Sequence, residues 1–368
     1  MKDFNYWKKL HESEKLEEFS SNSEGLLWLK TKSIVRKELI SEFVEKNSIT
    51  LKETALAKQF IELFAILCKD IPNSHKLLGK YIEEKNKTQV ADLNTDQLVS
   101  ELYKLKNFDW GGDYQNSLDK YLVSRYVKVH KSYDTLLTKF ETEIHVAVQG
   151  YVLNSWYNHW SGILIEHIFK SHQAVLPTVG QIKSVDFFIN NVPFDLKVTY
   201  LPAEYIKFKR KEKGLPVELT YLKGKAKEAN ITFDKTAKPA NIQYEIVEKM
   251  KDRNDEFCNS VLATLKNEKT DILKEVQNDP KMLAKWLYEN QGEMRFGSEN
   301  RLFLVLVDTD DFGNSWKLKR NLDLLKPIIM DYLDNFKNKK IEDLKVSFGY
   351  KGKPQTFTAL TDIIFVVK

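Results

Sequence analysis

The stretch from Ser184 to Tyr200, SVDFFINNVPFDLKVTY, constrains the fold more than any other part of the chain. Apolar residues alternate on both sides of the central Asn190-Asn191 pair, and strand side chains alternate between the two faces of a sheet. Asparagine tolerates the positive φ that a two-residue type I′ turn demands. The pattern therefore predicts a β-hairpin with one apolar core face, formed by Val185, Phe187, Ile189, Val192, Phe194, Leu196 and Val198.

The two-residue loop also predicts where two acids lie. It sets Ile189 opposite Val192, and the same register then sets Asp186 opposite Asp195. This pair is predicted to be non-hydrogen-bonded, with Cβ atoms roughly 4.5–5.5 Å apart on the face away from the core. Opposed carboxylates repel each other unless a cation lies between them. Because Mg²⁺ prefers carboxylate, water and phosphate oxygens, the pattern indicates a Mg²⁺ site for phosphoryl chemistry.

Lys197 follows Asp195 by two residues and is predicted to project from the same face. Its ammonium could orient an attacking water molecule or stabilise negative charge that develops on a phosphate. The bare acid-x-Lys pattern has little specificity, since Glu83-x-Lys85 and Asp343-x-Lys345 match it as well. Neither of those follows a partner strand that carries an acid. The alternative interpretation is an exposed hairpin face on which the charges are merely solvated.

Asp186, followed after eight residues by Asp195-Leu196-Lys197, resembles the PD-(D/E)xK signature of the restriction-endonuclease-like nuclease superfamily. The resemblance implies that Asp186 and Asp195 ligate Mg²⁺, with Mn²⁺ as an expected substitute. It implies the Leu196 main-chain carbonyl as a further ligand, and a Lys197 that positions or activates water.

Two more positions bear on this resemblance. Val185 stands where the family usually has a proline, a departure that removes no chemical group. The family often adds an acid from the preceding helix, and Glu166 in SGILIEHIFKSH matches that position. Glu166 is accordingly expected to be a catalytic and metal-site residue, directly or through water. The alternative is that Glu166 is an ordinary acid on the solvent-exposed face of a helix.

The resemblance to type II restriction enzymes implies a Mg²⁺-dependent, site-specific endonuclease that cuts double-stranded DNA to 5′-phosphate ends. It also implies a homodimer and a cognate DNA methyltransferase in the same system. The chain lacks a P-loop and helicase motifs, which favours restriction. Two alternatives stay open: another nuclease of the superfamily, in repair, recombination or phage defence, and a non-catalytic DNA-binding protein on the same fold.

The rest of the chain predicts an α/β (α+β) fold, with a restriction-endonuclease-like mixed β-sheet core flanked by helices. Helical periodicity dominates residues 1–140, predicted as an N-terminal recognition or dimerisation region, while residues 141–368 are predicted as the nuclease domain. Arg301 to Val307 reads as a strand buried on both faces. The other predicted elements are helices over 241–277, 281–290 and up to 336, and strands over 346–350 and 358–367.

Residues 200–227 carry the marked charge asymmetry of the chain. Eight basic and three acidic residues leave a local excess of five positive charges, equal to the formal net charge of the whole chain. A basic segment after a metal-binding strand is where a polyanion would bind. The alternative is a solvated lysine-rich loop, and either interpretation predicts a mobile segment without ligand. The predicted DNA-binding residues are Lys207, Lys209, Arg210 and Lys211, with Lys317 and Lys319 as secondary phosphate contacts.

Hydropathy and cysteine content bear on location. No apolar run approaches the roughly 18–20 residues of a membrane helix, and MKDFNYWKKLHESEK contains no hydrophobic signal core. A cytoplasmic protein is therefore expected. Cys68 and Cys258 both lie in helical patterns and are predicted to be reduced core residues.

Overall fold

The computed structural model describes residues 2–91, 93–109, 117–290, 298–350 and 353–368. In these ranges the chain forms an open six-stranded sheet with flanking helices. The strands are β1 (Val175–Ile182), β2 (Val185–Ile189), β3 (Val192–Tyr200), β4 (Arg301–Val307), β5 (Lys345–Tyr350) and β6 (Lys353–Val367). The predicted mixed α/β class is confirmed at this level, and the restriction-endonuclease fold within that class stays a prediction.

The sheet has the strand order β1-β2-β3-β4-β6-β5. Strands β1, β2 and β3 form an antiparallel meander, β4 lies parallel to both β3 and β6, and β5 is antiparallel to β6. All seven residues of β4 are buried, which confirms the prediction of a central strand covered on both faces.

Helices dominate the first 140 residues, as predicted. They are α1 (Phe4–Glu12), α2 (Glu17–Ser20), α3 (Ser23–Ser33), α4 (Lys37–Lys46), α5 (Leu56–Leu67), α6 (Ile71–Ala91), α7 (Thr95–Leu102), α8 (Leu118–Leu122) and α9 (Tyr133–Lys139). Helices α1 to α6 share a hydrophobic cluster with β1 and β2 that includes Phe188. The hairpin face predicted to lie away from the core is therefore covered here, because the N-terminal helices pack on it.

The later helices complete the layers around the sheet. They are α10 (His145–Lys170), α11 (Ala203–Glu212), α12 (Glu218–Glu228), α13 (Pro239–Arg253), α14 (Glu256–Asn278), α15 (Pro280–Asn290), α16 (Leu322–Asn335) and α17 (Ile341–Leu344). Leu302, Leu304 and Leu306 of β4 pack with α10 and α16 on one face. Phe303 and Val305 pack with α14 and α15 on the other face. The strand pleat thus separates two hydrophobic cores.

Several elements differ from the sequence predictions. The helix predicted over 241–277 is two helices, because Asn254 takes a left-handed φ of 49° at the end of α13 and Asp255 caps α14. Residues 200–227 form α11 and α12 instead of a mobile loop. Strand β1 was not predicted, and β6 begins at Lys353 instead of residue 358. The sequence Lys351-Gly352-Lys353-Pro354 predicts a turn between the last two strands; its residues 351 and 352 lie outside the described ranges, and Lys353 and Pro354 belong to β6.

Two further sequence-based expectations concern membrane spans and cysteines. Across the described ranges, every helix is too short or too polar to traverse a bilayer. Cys68 and Cys258 are both free thiols; Cys258 is buried and Cys68 half-buried.

Candidate active site

The β2–β3 hairpin holds the candidate site at the end away from its loop. Asn190 and Asn191 have φ values of 45° and 69°, as the predicted turn requires. The predicted register holds for Ile189 opposite Val192 and continues to Phe187 opposite Phe194, where the ladder ends. The predicted ladder pair of Asp186 and Asp195 therefore does not form.

At this point the Asp186 side chain takes the place of a backbone acceptor of the β2–β3 ladder. The Leu196 N–H donates to Asp186 Oδ2 at 2.8 Å. The preceding amide, of Asp195, points to the opposite edge of β3 and donates to the Asn300 carbonyl at 2.9 Å. The Asp186 carboxylate thus accepts the hydrogen bond of the Leu196 amide, which would donate to a backbone carbonyl of β2 if the hairpin ladder continued. Since the N–H and C=O of one strand residue face the same edge, the Leu196 carbonyl lies on the Asp186 side of β3.

Asp195 is a buried carboxylate, with 7% of its surface exposed. Lys197 Nζ lies 2.8 Å from Oδ1 and 2.7 Å from Oδ2. Oδ2 is closed to solvent and accepts no hydrogen bond of normal geometry. Asp195 is nonetheless already paired with the Lys197 ammonium, and a metal ion bound here would share this carboxylate with Lys197. The donor set of Asp186, Asp195 and the Leu196 carbonyl consists of hard oxygens and therefore fits Mg²⁺ or Mn²⁺.

Arg301 is a neighbour of Asp195 that the sequence reasoning missed. It stands directly beside Asp195 in the parallel β3–β4 register, is 2% exposed, and places Nε 3.8 Å from Asp195 Oδ2. Its Nη2 lies 3.1 Å from Glu299 Oε2, and Glu299 also accepts a hydrogen bond from the Ser184 hydroxyl. The available signal was a pair of charges, Glu299 and Arg301, at the start of an otherwise apolar buried strand.

Glu166 lies on α10 near Asp186 but outside a shared ligand cluster. It forms an ion pair with Lys170 at 2.7 Å and is about one-third exposed. In the part of the chain that the structure describes, no three His, Cys, Asp or Glu side chains come close enough to hold one metal ion. Glu166, Lys170, Arg36 and Asp186 line a common cleft of about 220 Å³. Glu166 therefore reaches the site through this cleft and not as a third direct neighbour.

The carboxyl of Asp186 is electrostatically strained. Burial, and next the charge of Asp195, raise the pKa of Asp186 from 3.8 to about 6, with a smaller contribution from Glu166. The Leu196 amide and Lys197 act in the opposite direction without cancelling this effect. The ionised form of Asp186 is therefore only partly compensated within the protein, and a divalent cation would supply the remainder.

Two of the four predicted DNA-binding residues of α11, Lys209 and Arg210, form ion pairs with acids that include residues of α14. Arg210 is 2% exposed and forms an ion pair with Glu268 of α14, so it is not a surface contact. Lys209 lies 2.9 Å from Glu212 and 3.3 Å from Glu275.

The other two lysines of α11 remain open to a partner. Lys207 is exposed and pairs with the exposed Glu204, while Lys211 is exposed with no acid in ion-pair distance among the described residues. Lys207 and Lys211 are therefore the residues of α11 that can contact a polyanion.

The two secondary candidates lie in a 3₁₀-helix, Phe312–Arg320. Lys317 is half-buried, with its ammonium 5.6 Å from the ring centroid of Trp316. Lys319 is 8% exposed and donates to Asn158 Oδ1 at 2.8 Å. Lys319 thus faces an internal cleft and not the outer surface.

Comparisons of the whole chain with protein-family models, with curated proteins and with solved structures gave no significant match. Functional inference therefore depends on the geometry and chemistry of the site.

Proposed function

We propose that this chain is a Mg²⁺-dependent, site-specific double-stranded DNA endonuclease of the PD-(D/E)xK type that leaves 5′-phosphate ends. The observation that supports the proposal most is the convergence of Asp186, Asp195 and Lys197 where β2 parts from β3. The raised pKa of Asp186, caused by burial and by the charge of Asp195, also supports the proposal, because a cation held by both carboxylates would offset their repulsion.

The residues have distinct roles in this proposal. Asp186, Asp195 and the Leu196 carbonyl would hold the metal, which supplies Lewis-acid stabilisation of the phosphate and of the leaving oxygen. Lys197 orients the attacking water, or stabilises charge on the phosphate, with its ammonium. Glu166 contacts the site from the shared cleft and acts through water.

The proposed cleavage reaction implies which macromolecular partners this chain would have. One hairpin site per chain cuts one strand, so cleavage of a duplex calls for two copies, and we propose a homodimer. The exposed Lys207 and Lys211 follow β3 and would contact the DNA backbone. A cognate DNA methyltransferase would accompany the enzyme if it serves restriction.

The test is incubation of the protein with a long unmethylated duplex DNA and Mg²⁺, beside an EDTA control and the Asp195→Asn variant. We expect discrete fragments with wild type and loss of cleavage on the order of a hundredfold or more with Asp195→Asn. The matched control is Asp343→Asn, which changes the exposed acid of another Asp-x-Lys sequence and should cleave like wild type.

The outcomes separate the candidate functions. Discrete bands support a site-specific enzyme, while a smear or digestion from the ends supports another nuclease of the superfamily. Metal-independent binding of intact DNA supports a non-catalytic DNA-binding protein. Cleavage that survives EDTA, or that Asp195→Asn leaves unchanged, would refute the proposed site.

A further inference from the structure

A second cleft opens at the carboxyl end of β3, beyond the candidate active site. It measures about 540 Å³, and the last strand residues, Thr199 and Tyr200, line it together with the start of α11 and the 3₁₀-helix. Thr199 shares a strand face with Lys197 and lies roughly 6–7 Å further along β3. A volume of this size is in the range of small-ligand sites.

A buried cation lines this cleft. Lys319 is more than nine-tenths buried, and its ammonium donates to the neutral Asn158 side chain at 2.8 Å. Among the described residues no carboxylate lies in ion-pair distance of Lys319, whereas the buried Arg210 and Arg301 each contact a glutamate. Burial lowers the pKa of Lys319 to about 8. The Lys319 ammonium also lies 5.6 Å from the ring centroid of Tyr200. These partners are neutral, and a buried charge without a counter-charge is costly, so an anion in the cleft would compensate it.

Two further features of the cleft suit a nucleotide. Ala203, the first residue of the ten-residue helix α11, lines the cleft and so places the positive end of the helix dipole beside it. Aromatic rings form another wall, where Phe108 stacks on Trp316 with centroids 5.1 Å apart and planes inclined by 19°. A phosphate would suit the cationic part, and a planar base would suit the aromatic part.

We propose that this cleft binds a nucleotide, with its phosphate at Lys319 and the start of α11 and its base against the aromatic wall that Phe108 and Trp316 form. The inference deepens the proposed function and rests on it for one source of the ligand, a nucleotide of the bound DNA strand. A free mononucleotide carries the same phosphate and base, so the experiment distinguishes the two sources.

The first arm measures binding by calorimetry in EDTA, with deoxyadenosine 5′-monophosphate, deoxyadenosine and inorganic phosphate as probes. We expect the monophosphate to bind more tightly than either fragment. Lys319→Met should weaken its binding about tenfold or more, since the variant has no ammonium to form a charge-assisted hydrogen bond with the phosphate. Lys319→Arg should retain binding. Lys326→Met, which removes an exposed lysine of α16, is the matched control and should bind like wild type.

The second arm uses single-stranded and duplex oligonucleotides on the Asp195→Asn background, with and without Lys319→Met. Weaker oligonucleotide binding with Lys319→Met, without mononucleotide binding by any variant, would assign the cleft to the DNA strand. Mononucleotide binding that depends on Lys319 in a protein that cuts no DNA would support the cleft and refute the nuclease.

Thermal melting tests whether the Lys319→Met variant still folds, so that lost binding is not mistaken for lost structure. Lys319→Met removes a buried charge with no acid partner among the described residues, so its melting temperature should not fall. The proposal is overturned if Lys319→Met binds every probe and oligonucleotide like wild type.

Discussion

Replacement of Asp186 by asparagine is expected to stabilise the metal-free protein at neutral pH and to have little effect near pH 4. Burial and the charge of Asp195 raise the pKa of Asp186 from 3.8 to about 6. The folded protein therefore binds a proton between these pH values that the unfolded chain has released. By linkage, the stability of wild type falls as pH rises from about 4 to about 6, and it stays reduced above that range.

The magnitude follows from the pKa. Each pH unit between 3.8 and about 6 corresponds to about 1.4 kcal/mol, so ionised Asp186 costs about 3 kcal/mol of unfolding free energy above pH 6. Asparagine has nearly the same size, and its amide oxygen can still accept the Leu196 N–H. Asp186→Asn should thus remove the cost of the charge and keep the hydrogen bond.

The assay is urea unfolding in EDTA at several pH values from about 4 to 8, for wild type, Asp186→Asn and the control Glu204→Gln, which alters an exposed acid of α11. The stability gain of Asp186→Asn should grow up to about pH 6 and then remain constant, while Glu204→Gln shows no such trend. Added Mg²⁺ should stabilise wild type more than Asp186→Asn. A gain that does not vary with pH, or a net loss of stability at pH 8, would refute the account of Asp186 as a strained buried anion.

Two further predictions concern charges around the site. Arg301→Met should cost about 3–5 kcal/mol of unfolding free energy at pH 7, because it leaves Asp195 and Glu299 buried without this cation. Urea unfolding measures this loss, and a loss below about 1 kcal/mol would contradict the buried ion-pair network. Joint replacement of Lys207 and Lys211 by glutamine should reduce the slope of log binding constant against log salt by roughly 0.9 for each phosphate that these lysines neutralise in wild type. An unchanged slope for duplex DNA would exclude α11 from the interface.

The hairpin was predictable because its determinants are local. Alternation over a few residues and the Asn190-Asn191 loop determine the register, and no distant contact is needed. The broken ladder at Asp186 was not predictable in this way. The Asp186 carboxylate and a backbone carbonyl of β2 are competing acceptors for the Leu196 N–H, and the sequence pattern does not determine which of them accepts.

Long-range charge pairing explains the largest differences. The sequence window 200–227 contains the cations of α11 and the adjacent Lys213, but several of the acids that pair with them lie on α14. Arg210 meets Glu268, and Lys213 meets Glu275 at a separation of 62 residues. A local count of charge therefore overestimated the cationic surface. Strand β1 was missed for a different reason: Pro177 weakens a strand pattern in sequence, yet it is tolerated because β1 is the edge of the sheet.

The two aspartates of the site are unequal in a way that bears on the role of Lys197. Asp195 lies within ion-pair distance of both Lys197 and Arg301, whereas the hydrogen-bond partner of Asp186 is a neutral amide. A cation entering the site would therefore gain most from Asp186, whose charge the protein compensates only in part. If Asp195 also held that cation, the cation and Arg301 would together compensate the charge of Asp195. The Lys197 ammonium would then be released to act on water or phosphate, which is the role that the proposed reaction requires of it.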